Sequence, residues 1–142
     1  MGLYAGQGLS TEALVVQKLS KKVTFADDDL TVSLGWLPAN SAVIGSGVSV
    51  FTAWNGDGND TVDIGFRNSD EGYTDDPDAF TESVLALDAV GHVAGDVVSA
   101  ENLSFSAPAE VTASLASAGT APSAGVAYVY VTFIDFSTSE DL

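Results

Sequence analysis

The chain has 142 residues, no cysteine, and 20 acidic side chains against four basic ones, for a formal charge of -16. That length makes one domain able to bury its own core. The charge argues against nucleic acid and anionic membrane surfaces, which need clustered Lys and Arg, and the lack of Cys excludes disulfides and thiolate metal sites.

At 46% hydrophobic residues the chain is a folding one. Its charge keeps copies apart and strains the fold by self-repulsion, which salt relieves. Such a surface suits a saline environment or the outside of a larger body. No apolar run approaches the ~20 residues that span a bilayer. The N-terminus has no basic segment before a signal-like core, so the expectation is a protein made and kept in the cytoplasm, or leaving by a route other than secretion.

Residues 1–20 read as an arm, opened by Gly2, Gly6 and Gly8, with a short helical turn possible over 12–19. Lys18, Lys21 and Lys22 belong to this basic segment. They are either a docking point for an acidic neighbour or the solvated lysines of a frayed end. Val23 and Phe25 begin an alternating strand, Asp27, Asp28 and Asp29 turn it, and Leu30, Val32 and Leu34 form the next. Gly35 to Pro38 is expected to end that strand, because Pro lacks a ladder N–H. Gly45 and Gly47 mark a bulge in the run that follows.

The chain is organised around residues 46–67, read as a β-hairpin. Val48, Val50, Thr52 and Trp54 alternate on one arm; Val62, Ile64 and Phe66 alternate on the other. Between them, 55–60 carries dense turn chemistry. Asn55, Asp57 and Asn59 have the spacing of the first EF-hand ligands, but Asp60 stands where that loop needs Gly and Phe66 where it needs Glu. A looser Ca²⁺ site would draw on Asp57 and Asp60 here and on Asp75 and Asp76 in the acidic loop 68–78, against the plainer reading of both as solvated turns. Residues 78–88 carry a helical spacing in Phe80, Val84 and Leu87, or a strand over 83–87.

His92 lies in an expected loop and lacks partners for a triad or a metal site. Strands follow over 96–105, with a bulge at Glu101 and Asn102, and over 110–115. The last strand, 126–136, is apolar on both faces, Tyr128 and Tyr130 on one, Val129, Val131 and Phe133 on the other. It is expected to be central or covered on its second face by another subunit, with those five residues as the oligomer interface. The eight expected strands, 22–26, 30–36, 42–54, 61–67, 83–87, 96–105, 110–115 and 126–136, point to an all-β antiparallel sandwich, jelly-roll-like, over residues 21–137. The arm 1–20 precedes it and a polar tail, 138–142, follows. No phosphate loop, nucleophile elbow or partnered His is present, so no catalytic residue, enzyme activity or cofactor is expected.

The segment 30–66, with its Leu-Pro step, Val-rich strand, Asn-Gly turn and Thr-Val-Asp-Ile-Gly strand, resembles small structural proteins encoded among the virion genes of tailed bacteriophages. The apolar strand 125–136 is similar to the usual end of that family. The resemblance implies a head decoration or cement protein on the outer capsid surface. Its partner would be the major capsid protein, it would be a homo-oligomer, commonly a trimer, and it would brace the lattice against internal pressure. On that implication Lys18, Lys21 and Lys22 are capsid contacts. The alternative is a host-recognition module of a head fibre or tail tip that binds carbohydrate, for which exposed Trp36, Trp54 and Tyr73 would speak. A tail-tube or connector subunit is a third reading, without an obvious inserted hairpin to support it.

Overall fold

The computed structural model describes residues 16–70, 72–96 and 104–137. Most of the expected arm, Glu71, the expected strand residues Val97, Val98 and Leu103 with the bulge at Glu101 and Asn102, and the tail lie outside the described residues.

The strands are β1 (Val16–Thr24), β2 (Thr31–Leu37), β3 (Ser41–Thr52), β4 (Asp60–Arg67), β5 (Leu85–Ala86), β6 (Gly91–Ala94), β7 (Ser104–Phe105), β8 (Ala109–Ser117) and β9 (Val126–Asp135). They form two antiparallel sheets facing each other, a β-sandwich. One runs β1-β9-β3-β6, with β7 also paired to β3; the other runs β2-β8-β4-β5. From β1 to β4 each strand changes sheet. β9 then inserts between β1 and β3, and β8 between β2 and β4. That is the wrapping expected of a jelly-roll-like sandwich.

Alternation decides which side chains meet between the sheets. Val48 and Val50 of β3, Val129, Val131 and Phe133 of β9, and Val62, Ile64 and Phe66 of β4 are all buried there. At one end Phe66 packs against Phe80 and Phe105, with ring centroids 6.1 and 5.1 Å away. Gly45 sits at a register shift between Val43 and Gly45 against β9, which turns Ile44 outward. The bulge expected from this glycine is therefore present.

Several expectations need correction. Residues 46–67 are not a hairpin: β3 and β4 lie in different sheets, so 55–60 is a crossover between layers. Its polar groups bind the loop before β9 instead. Asn55 Oδ1 accepts from the N–H groups of Ser123 and Ala124, Asp57 bridges to Thr120, and Ala118 N–H donates to Asn59. Trp54 lies over Gly125, where an added Cβ would meet its ring at 2.3 Å. Turn chemistry encodes a chain reversal but not the strand that receives it.

β2 does end before Pro38, at Leu37, and Gly35 lies inside it. Gly35 sits at a register shift with φ +124°, a left-handed backbone that glycine tolerates, and Trp36 and Leu37 continue the pairing with β8. The stretch 78–88 is not helical: Phe80 N–H donates to Ile64 and Leu87 N–H to Asp60, so this segment covers the edge of β4 and leaves only a two-residue β5. β1 begins at Val16, so residues 16–20 of the expected arm belong to a strand.

Candidate functional site

Among the described residues nothing covers the outer face of the five-stranded sheet. Val23 points inward, so Lys18, Ser20 and Lys22 point outward from β1. The register places Lys22 opposite Tyr128, Ser20 opposite Tyr130 and Lys18 opposite Thr132. On the next strand Tyr128 faces Ser49 and Tyr130 faces Gly47, and beyond them Ser49 faces His92. Apart from Lys22, these side chains line a shallow groove of about 900 Å³ together with Phe51, and among the described residues no carboxylate lines it.

Two aromatic pairs shape the groove. Phe51 and Tyr128 meet edge to face with centroids 5.6 Å apart, and both are exposed, at 63% and 43%. Tyr130 stacks on His92 at 5.8 Å and shares a hydrogen bond with its Nε2. Gly47 permits that stack: a Cβ there would stand 2.5 Å from Tyr130 Oη. His92 is thus a strand residue with an aromatic partner, not a loop histidine.

The other sheet carries a different chemistry. Its outer face shows Thr31, Ser33, Ser114 and Asp63, with Trp36 and Arg67 both opposite Glu110. Arg67 donates to Glu110 from Nε at 2.8 Å and from Nη2 at 3.4 Å, and Asn68 Nδ2 adds a third bond at 3.0 Å. The Arg67 bond, with help from Ser33 and Asn68, holds the Glu110 carboxyl down to about 2. With Arg67 so engaged, the other basic side chains of the chain, Lys18, Lys21 and Lys22, all stand on β1.

Asp60 is the unusual carboxylate. It is 1% exposed at the start of β4; its Oδ2 accepts from Gly56 N–H at 2.9 Å, and its Oδ1 meets no donor. Asp88 accepts from Asp60 N–H at 3.2 Å, which brings a second carboxyl close to that of Asp60. Burial pushes the Asp60 pKa up, the Gly56 bond pulls against it, and the charges of Asp88 and Asp28 push the same way as burial. Asp63 is also raised, by burial and by Asp78.

The residues singled out from sequence separate as follows. Lys18, Lys21 and Lys22 are exposed, on a strand instead of a flexible arm. Tyr128 and Tyr130 reach the outer groove, but Val129, Val131 and Phe133 are buried in this chain's own core, so they cannot form an interface with another subunit. The face of the last strand assigned to a neighbour is covered by the opposite sheet.

The Ca²⁺ candidates do not converge. Asp60 opens β4, whereas Asp76 bridges to Phe66 near its other end, about 20 Å along the strand. Among the described residues no three His, Asp or Glu side chains gather to hold a metal ion. The three aromatics proposed for sugar binding form no common platform. Trp54 is 4% exposed and Trp36 is 49% exposed on the other sheet, while Tyr73 packs on Phe66 and Phe105. Phe51 and His92, which complete the groove, were missed: only strand pairing brings them to Tyr128 and Tyr130.

No family model matches the chain, and no curated protein does. Solved structures do. A chain in the capsid of Ralstonia phage GP4 is similar, with a TM-score of 0.63 at 20% identity, over 87% of this chain and 84% of that one. A chain in the acidic stable capsid of Helicobacter pylori bacteriophage KHP30 is similar with a TM-score of 0.56 at 15% identity, over 84% and 87%. At these identities the likeness is one of fold.

Proposed function

We propose that this chain is a non-enzymatic structural protein of a phage virion, a head decoration or cement protein on the outer capsid surface. It binds the major capsid protein as a homo-oligomer, taken to be a trimer, and strengthens the lattice. The observation that carries this reading is the likeness of the whole sandwich to a chain in the GP4 capsid, over most of both chains. Two physical facts support it. The charge of -16 suits an outward surface that must not bind packaged nucleic acid. Lys18, Phe51, Tyr128 and Tyr130 lie together on one sheet face, which suits broad contact. The mechanism is mechanical: each copy holds a seam weakly, and many copies together hold it strongly.

The test is co-sedimentation of the purified protein with its cognate capsids. Saturable binding at hundreds of copies per particle, with a rise in capsid melting temperature, is the expected result. Binding at a few tens of copies or fewer, with no stabilisation, overturns it. A second reading, carbohydrate recognition, is favoured by the exposed Phe51 and Tyr128 rings. A glycan array separates the two, since a lattice protein gives no glycan-specific signal.

A further inference from the structure

The outer groove faces a constraint set by the chain itself. Any two copies carry -16 each and repel. A two-fold contact through the groove sets Lys18 and Lys22 against the same lysines, and a two-fold contact through the acidic loops sets carboxylate against carboxylate. An attractive contact between copies pairs the lysine face of one with an acidic segment of the next. Such a heterologous contact builds a ring where its rotation closes and an open filament where it does not.

The loop that best matches is 68–78. It leaves β4, in the sheet opposite the lysines, so one copy offers both surfaces at once. Its return stretch, 75–78, runs back along β4, where Asp76 bridges to Phe66 and Asp75 accepts from Asn68 N–H, and it leaves Asp75, Pro77 and Asp78 exposed, an apolar ring among carboxylates. The groove offers the inverse pattern, the exposed Phe51 and Tyr128 rings beside Lys18 and Lys22. The two lysines lie about 13 Å apart along β1, a span that flexible lysine stems adapt to carboxylates three residues apart.

We infer that the outer face of the five-stranded sheet docks the exposed acidic edge of a second copy at Asp75–Asp78, head to tail. The inference rests on the homo-oligomer in the proposed function and names the surface through which copies meet. The interface has an aromatic centre and a charged rim, so it weakens with salt.

The experiment is sedimentation velocity of the full chain without capsids, in 50 mM and 500 mM NaCl, with circular dichroism to verify folding. The wild type is expected to self-associate in low salt, and Lys18→Glu with Lys22→Glu to weaken association at least tenfold. Adding Asp75→Lys and Asp78→Lys to that same chain exchanges the charges across the contact and restores association. Wild-type assembly by the lysine variant, or no restoration by the fourfold variant, overturns the inference. So does a wild type that stays monomeric, whether the face then proves to hold a glycan or the capsid. Capsid co-sedimentation is scored separately, so a monomer that still coats capsids refutes this contact and leaves the decoration role standing.

Discussion

On the outer face of the five-stranded sheet, Lys18 and Lys22 stand beside Phe51, Tyr128 and the Tyr130–His92 stack, with no carboxylate among the described residues that line the groove. On the outer face of the four-stranded sheet, hydroxyls surround a single Arg67–Glu110 pair, and Asp63 and the acidic loop lie alongside. Both faces arise from one rule, inward apolar residues alternating with outward ones. They differ in what the outward positions carry: one face sets lysines beside aromatic rings, the other sets hydroxyls beside carboxylates. A fold whose cations are drawn to one edge has an electrical direction, which a uniform acidic shell lacks.

The sharpest way to break this comparison is to shift a charge by one position along β9. Val131→Asp buries an unpaired carboxylate in the core and is expected to abolish cooperative folding. Thr132→Asp, on the outward side, is expected to leave a folded domain by circular dichroism and to disturb the groove alone. A pair of phenylalanines asks the same question at smaller scale. Phe66→Ala opens the inter-sheet core and should cost about 3–5 kcal/mol in denaturant unfolding, whereas Phe51→Ala should stay within about 0.5 kcal/mol.

Acid probes the carboxylates. The folded state raises the Asp60 pKa, so it binds the proton more tightly than the unfolded chain does. Stability therefore rises as pH falls from neutral through that raised pKa. Glu110 runs the other way: its folded pKa of about 2 gives stability present above the unfolded value, lost as pH falls from about 4.3 towards 2. The melting temperature should pass through a maximum on the acid side of neutral. Asp60→Asn keeps an acceptor for Gly56 N–H and can donate to Asp88, so it should gain about 1 kcal/mol at pH 7 and nothing once Asp60 is protonated. Arg67→Ala should cost at most about 1 kcal/mol, because the pair is partly exposed, and should move the acid loss upward in pH as Glu110 loses its cation.

Much of the layer structure was legible in the chain. Val62, Ile64 and Phe66 read as a buried face and are one, and most expected strands lie where alternation put them. What alternation does not encode is the partner. The same turn residues at 55–60 serve a hairpin or a crossover, and the choice is made by distant groups at 118–124. In β9 both faces are apolar, so period 2 alone does not say which points to the core. The branched Val129 and Val131 fill the tight inter-sheet space, and the tyrosines keep their hydroxyls towards water. Asp60 carries no sequence sign of burial, since Asp is equally at home in an exposed turn. The groove was half legible: its tyrosines and lysines were singled out, but His92 and Phe51 join them only through the register of β3, β6 and β9.

β1 bears on what happens when many copies crowd together. Among the described residues it pairs with β9 alone, so its other edge offers a row of N–H and C=O groups, a template on which another chain could add a strand. An antiparallel edge-to-edge match would set Lys18, Lys21 and Lys22 of one chain against those of the next, like charges facing across a ladder. The same lysines that make the face attractive to acid therefore guard it against runaway sheet extension into fibres. Replacing all three lysines by threonine removes that repulsion and should make concentrated protein gel, which light scattering against concentration would read.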